Sequence, residues 1–322
     1  MYRPSVLLLA LLQGQASAHT FIWGVFVNGV DQGLFKGIRT PAYNGPPGGG
    51  GFANSPVKDL GSIDLRCNVL GDIPAPDTIK VQPGDNLTFD WKHNYRNGSD
   101  DIIDKSHHGP SLVYISPDPP AENSFVKLWH QGLYEIASFP QPGKWSTTSN
   151  LAKNGGRMSI RIPKDLKAGY YLIRAEMIAL HEGDADFRKS PMRGAQFYPN
   201  CVQIEVTGDG AVELPEGVSF PGAYSHDDPG VVHNKQTAPC RTAYEIPGPT
   251  VWSGAWQETT SAPAGEITGG STAPLWSTWI KQSVVTSATF ADRASPTVVG
   301  TSTFSAQWSS TYQTPAPATK RW

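Results

Sequence analysis

Short segments with alternating apolar and polar residues, or with runs of β-branched and aromatic residues, recur along the first two thirds of the chain. Alternation with a period of two places the apolar side chains of a strand on one face, where a second sheet can cover them. The pattern predicts strands at residues 20–27, 86–91, 111–116, 157–162, 170–180 and 202–206.

The stretches between these segments are polar and rich in turn-forming residues. Residues 41–54 include four consecutive glycines, and residues 95–104 are too polar to form a core. The chain holds 33 Gly and 28 Pro among 322 residues, which is typical of short strands joined by many turns. We therefore predict an all-β sandwich in a single domain that ends near residue 252.

The composition changes abruptly after Trp252. Residues 253–322 contain 24 Ser or Thr among 70 residues and no Cys. Such a segment cannot bury enough apolar surface to offset its ordering entropy, so we predict a low-complexity, disordered and O-glycosylated tail. Five of the ten tryptophans lie there, which leaves a weak carbohydrate-contacting role as the alternative. The lack of Cys excludes a disulfide-bonded cellulose-binding module.

The first 18 residues have the pattern of a secretory signal peptide. Arg3 precedes a short apolar run, and small residues occupy positions 16 and 18. We expect cleavage after Ala18, a mature chain that begins at His19, and a secreted, extracellular protein.

Neither a membrane nor a nucleic acid is an expected partner. No later stretch of about 18 apolar residues is present in the sequence. The chain has 26 Lys and Arg against 28 Asp and Glu, a net charge of −2, without the basic patch that nucleic-acid binding requires.

Secretion also predicts covalent modification. Two of the three cysteines, Cys67, Cys201 and Cys240, can pair in an oxidising compartment, and the sequence does not decide which two. Asn86 and Asn97 begin Asn-X-Ser/Thr motifs and are candidate N-glycosylation sites.

A histidine at the first position of a mature chain has chemistry that no internal histidine has. Its α-amine and its imidazole Nδ1 can close a chelate ring on one metal ion, and copper(II) leads the divalent affinity order for nitrogen ligands. The alternative is that histidine follows the cleavage site by chance, so the interpretation depends on further ligands.

Further candidate ligands lie where predicted strands begin or end. His107 and His108 precede the strand at 111–116, and adjacent residues there point in opposite directions, so at most one faces a given site. Gln196 and Tyr198 are two apart and project to the same side of an extended chain. His181 follows another strand. Taken singly, a histidine here is better explained as a surface or capping residue, and the tyrosine as a packing residue.

Several motifs occur together in order. They are HTF at 19–21, SHHGP at 106–110, RAEMIALH at 174–181, QFYPNC at 196–201, DPG at 228–230 and IPGP at 246–249. In this combination the chain resembles the fungal lytic polysaccharide monooxygenases of auxiliary-activity family nine, formerly classed as glycoside hydrolases. The resemblance covers residues 19–252 and leaves the tail uncovered.

The resemblance implies a copper site and assigns its residues. His19 supplies its amine and Nδ1, His107 supplies Nε2, and Tyr198 matches the axial tyrosine. His181 and Gln196 match the outer pair that hydrogen-bonds oxygen species at the copper. His108 lies outside this arrangement.

The family resemblance also implies an immunoglobulin-like β-sandwich with copper on a flat face. It further implies a disulfide between Cys67 and Cys201, whereas Cys240 has no counterpart in the family. The implied reaction is oxidative cleavage of cellulose or a related β-glucan at C1 or C4, with an external electron donor and O2 or H2O2. Residues 231–236 lack a tyrosine that some members carry on the flat face, so substrate and regioselectivity stay open. A monomer is the default expectation.

Three rival functions follow from the same residues. A non-catalytic carbohydrate-binding sandwich would need aromatic platforms but no matched His, Gln and Tyr set. A copper carrier would keep His19 and His107 without needing His181 or Gln196. A glycoside hydrolase would need a pair of flanking carboxylates, and the sequence singles out no such pair among 28 acids.

Overall fold

The computed structural model describes residues 20–41, 55–93, 96, 102–138, 141–233 and 243–256. Its strands in chain order are β1 Phe21–Val27, β2 Val30–Leu34, β3 Ile38–Arg39, β4 Ile79–Val81, β5 Asn86–Lys92, β6 Ser111–Pro117, β7 Val126–Gln131, β8 Leu133–Glu135, β9 Lys144–Trp145, β10 Arg157–Arg161, β11 Gly169–Ala179 and β12 Gln196–Val206. Its short helices are α1 Asp64–Cys67, a π-helical turn Ser146–Asn150 and α2 Leu151–Lys153.

The strands form two main sheets, which confirms the predicted all-β sandwich. One sheet has four strands in the order β10-β5-β1-β2. The other contains β3-β12-β11-β6-β7, with β4 alongside β12. Strand β4 pairs in parallel with β12, whereas β11 is antiparallel to both β6 and β12. The hairpin β8–β9 is separate from both sheets.

The core has two parts because strand β11 is buried on both faces. Ile173, Ala175 and Met177 pack with residues of β1, β5 and β10 in the main cluster between the sheets. Leu172 and Ile178 point the other way, into a second cluster that residues 57–65, 218–232 and 244–246 help to cover. The six-stranded sheet is therefore the middle layer of the domain.

Most of the predicted strands are confirmed, with bounds that shift by about one residue. The exception is β12, which begins at Gln196 rather than at residue 202. Its first residues are buried on both faces, so apolar and polar positions do not alternate, and Pro199 lacks an amide hydrogen. The strand nevertheless continues through Pro199, which lies opposite Glu176 of β11. Strands β2, β3, β4, β7, β8 and β9 were not predicted.

The structure contains the disulfide that the family resemblance implies. Cys67 at the end of α1 is bonded to Cys201 in β12. Cys240, Asn97 and residues 257–322 of the predicted tail lie outside the described residues. Asn86 is the first residue of β5, and its glycosylation stays a prediction. Among the described residues, no helix is long and apolar enough to cross a membrane.

An ion pair is buried on the outer face of the six-stranded sheet. The Arg174 guanidinium donates to both carboxylate oxygens of Glu176, at 2.9 and 2.5 Å, and both side chains are fully buried. Arg174 also donates to the Leu65 carbonyl at 2.8 Å, and the Tyr224 hydroxyl donates to Glu176 at 2.7 Å. The pair thus links β11 to helix α1 and to the loop that contains Tyr224.

Replacing Glu176 by Gln should lower the free energy of unfolding by about 3–5 kcal/mol, because the Arg174 charge would stay buried without its counter-charge. Denaturant unfolding measures the change. Glu135→Gln is the matched control, since the Glu135–Lys144 pair is exposed and should leave the unfolding midpoint nearly unchanged. Equal losses in the two variants would contradict this account.

Strand β7 carries two basic groups whose pKa values are shifted by burial. Lys127 donates to the Pro247 carbonyl at 2.9 Å, and its Nζ lies 3.3 Å from Nδ1 of His130. Burial lowers the pKa of Lys127 to about 7. Burial, together with the charge of Lys127, lowers the pKa of His130 to about 4.

This shift predicts a pH dependence of stability. Between pH 4 and about 6.5 the unfolded chain binds a proton at residue 130 that the folded chain does not, so the contribution of His130 to stability should rise with pH across this window. Urea unfolding at several pH values measures the slope. His130→Asn should make it shallower, and an unchanged slope would show that His130 does not contribute.

Candidate active site

Three neighbouring strands bring the candidate residues to one end of the six-stranded sheet. Ala179, the last residue of β11, pairs with Gln196, the first residue of β12. On the other side, Ser111 at the start of β6 pairs with Met177 of β11. Residues that precede β6, follow β11 or open β12 therefore meet at this edge.

His107 lies in the segment before β6, with its side chain almost fully buried. Its ring centroid is 4.0 Å from that of His181 and 6.3 Å from that of Tyr198. Its Nδ1 is 3.1 Å from the Ser106 hydroxyl. This contact fixes the orientation of the ring through Nδ1.

An acidic side chain supports the same turn. The Ser106 amide donates to Asp104 at 2.7 Å, and Asp104 lies 3.9 Å from Nδ1 of His107. Hydrogen bonds from the side chain and backbone of Ser106 lower the pKa of Asp104. The turn that holds His107 therefore carries a negative charge beside the imidazole at neutral pH.

Gln196 and Tyr198 point to the same side of β12, as their spacing predicts. The Tyr198 hydroxyl donates to Oε1 of Gln196 at 2.7 Å, and the Gln196 amide nitrogen lies 3.2 Å from Nε2 of His181. Tyr198 is fully buried. Burial, together with the charge of Glu182, raises its pKa well above the usual value. The phenol therefore keeps its proton.

Glu182 is a neighbour that the sequence analysis missed. The Gln196 amide donates to its carboxylate at 3.3 Å. Lys58 and Arg193 lie 3.5 and 3.8 Å from the same carboxylate. The Gln196 amide group is thus held at both ends, with Tyr198 at its oxygen and Glu182 at its nitrogen. Its position directly after His181 is the only signal the sequence offers for Glu182.

The two adjacent histidines face different environments. The ring of His107 lies against His181, whereas Nδ1 of His108 lies 2.7 Å from the Thr148 hydroxyl in the π-helical turn. This agrees with the expectation that at most one of the pair faces a given site.

His19 lies outside the described residues. Within the ranges that the structure describes, no group of three or more His, Cys, Asp or Glu is arranged to hold a metal ion. The donor chemistry nevertheless fits copper better than calcium or magnesium, because imidazole nitrogens and a neutral phenol meet here instead of several carboxylates.

The sequence model of Auxiliary Activity family 9 (formerly GH61) matches residues 19–244. An "AA9 family lytic polysaccharide monooxygenase A" of Aspergillus niger is 44% identical over 253 residues, which cover 78% of this chain and 56% of the relative. A protein of the same name from Schizophyllum commune is 42% identical over 270 residues, which cover 82% of this chain and 98% of the relative. The chain thus spans little more than half the length of the Aspergillus niger relative.

Solved structures give a similar result. The structure titled "CvAA9A" superposes with a TM-score of 0.64 at 36% identity, covering 74% of this chain and all of that one. The extended catalytic domain of H. jecorina LPMO9A has a TM-score of 0.55 at 27% identity, covering 80% of this chain and 96% of that one.

Proposed function

Because the chain belongs to Auxiliary Activity family 9, we propose that it is a secreted, copper-dependent lytic polysaccharide monooxygenase. It cleaves cellulose or a related β-1,4-glucan by oxidation at C1, C4 or both, using an external electron donor and O2 or H2O2. The observation that carries the proposal is the meeting of His107, His181, Gln196 and Tyr198 at one edge of the sheet.

The proposed copper ligands are the amine and Nδ1 of His19 and the Nε2 of His107, with Tyr198 as the axial neighbour. Two observations support the assignment of His19. The family match begins at residue 19. In addition, the Ile22 amide near the start of β1 donates to Asn200 of β12 at 3.1 Å, so β1 begins against the strand that carries Tyr198.

Around this metal the protein supplies position and protons. Copper, when bound, provides the one-electron chemistry that activates the co-substrate. Ser106 holds Nδ1 of His107 and thereby orients the ring. Tyr198 and Glu182 fix the direction of the Gln196 amide, which keeps its N–H beside His181. This places an imidazole and an amide beside His107, and both kinds of group can exchange hydrogen bonds with a small oxygen-containing co-substrate that enters the site.

The hydrogen-bonded set favours the enzyme over its rivals. A carbohydrate-binding or copper-carrying protein would not need His181 and Gln196 held beside His107 in a fixed direction. Since polar groups are costly to bury and both His107 and Gln196 are buried, the arrangement is better explained by chemistry at this position.

Mass spectrometry of the products tests the reaction. Incubation of the copper-loaded mature protein with cellulose and ascorbate should release aldonic acids or C4-oxidised oligosaccharides, and the type of product identifies the oxidised carbon. His107→Ala, which removes a proposed ligand, should abolish the oxidised products. Release of unoxidised oligosaccharides alone would contradict the proposal.

The proposed role of the His19 α-amine as a copper ligand can be tested separately. One extra residue ahead of His19 converts the amine into a peptide nitrogen, so tight copper(II) binding should be lost, as measured by titration calorimetry. The matched control is the same chain beginning at His19. Equal copper affinity in the two proteins would exclude the amine as a ligand.

A further inference from the structure

The segment that carries His107 is in direct backbone contact with β11. The His108 carbonyl accepts from the Leu180 amide at 2.9 Å, and the Pro110 carbonyl accepts from the Ile178 amide at 3.0 Å. Gly109 permits this approach, because a Cβ at that position would overlap the carbonyl oxygen of Ile178. One side of the segment is therefore fixed by the sheet.

The π-helical turn fixes the other side. The Thr147 amide donates to the Gly109 carbonyl at 3.3 Å. The Thr147 hydroxyl donates to the His107 carbonyl at 2.7 Å and lies 3.2 Å from the Gly109 carbonyl. Thr147 is fully buried. Each carbonyl from residue 107 to residue 110 thus has a donor, and at His107 that donor is a side chain.

Two adjacent residues of the π-helical turn contact this segment. A π turn inserts one residue into a helical turn, and such turns occur frequently at functional sites. Here consecutive threonines contact consecutive histidines, with Thr147 on the His107 carbonyl and Thr148 on the His108 ring. Ser146 anchors the turn by donating to the Ser111 hydroxyl at 2.9 Å.

We propose that Thr147 is a positioning residue for the copper ligand His107. This inference rests on the proposed function. The direction of the His107 ring depends on the rotation of its backbone, and the Thr147 hydroxyl holds the carbonyl of that residue. Without the hydroxyl the carbonyl would lose this 2.7 Å hydrogen bond, and the peptide would rotate toward a different donor. Metal sites tolerate only about 0.5 Å of such displacement.

The test compares three variants of the full mature chain. Thr147→Val keeps the shape but removes the hydroxyl, and Thr147→Ser restores it. Thr148→Val is the matched control, because it removes the neighbouring hydroxyl that contacts His108 instead. The readouts are copper(II) affinity by competition titration and the hyperfine pattern of the bound copper(II) by electron paramagnetic resonance.

Thr147→Val should bind copper(II) about 10–100-fold more weakly, as expected for the loss of a group that orients a ligand, and should show an altered hyperfine pattern. Thr147→Ser and Thr148→Val should match the wild type in both. Unchanged affinity and spectrum in Thr147→Val, or an equal loss in Thr148→Val, would overturn the inference.

Two further measurements distinguish a failure of the proposed function from a failure of the role assigned to Thr147. If the wild type itself fails to bind copper, the proposed function is wrong; if it binds and Thr147→Val binds equally well, only the role of Thr147 is wrong. Thermal unfolding without copper measures the structural effect. If neither Thr147→Val nor Thr147→Ala folds, the hydroxyl serves the fold and the positioning role is overturned.

Discussion

The antiparallel ladder between β11 and β12 is the constraint on which the site depends. It runs from Gly169 opposite Val206 to Ala179 opposite Gln196 without a change of register. Because side chains alternate along a strand, a shift of one residue would turn Gln196 and Tyr198 to the opposite face of the sheet. The register is well determined, since both faces of β11 are buried in different clusters.

The same ladder explains how polar side chains can be concentrated at one edge of an apolar layer. Along β11 the inward residues are apolar, and the buried charges of Arg174 and Glu176 lie on the outer face, where they neutralise each other. Polar groups on the inward side gather where the strand ends. There His181 and Gln196 lie within hydrogen-bonding distance of each other.

The sequence was sufficient for the fold class, for the positions of β1, β5, β6, β10 and β11, and for the shared orientation of Gln196 and Tyr198, because these follow from a period of two. The family resemblance added the Cys67–Cys201 pair. The predicted start of β12 was wrong, because a strand that is buried on both faces does not alternate between apolar and polar residues. Thr147 and Glu182 were missed because each acts through contacts with residues distant in sequence or in another loop, and a polar run such as residues 146–150 is indistinguishable from an ordinary loop.

These missed residues share a physical role. The side chains that the sequence does identify are those whose atoms would meet the metal or its co-substrate, and their identity is dictated by chemistry. The side chains that it does not identify fix the orientation of those that would meet the metal. Many residue types at many positions can do this. Thr147 holds a carbonyl and Glu182 holds an amide nitrogen. The orientation of a site side chain depends on its neighbours in the folded protein. It can therefore be determined only from the structure, in which the sheet, the π-helical turn and the loop after β11 come together.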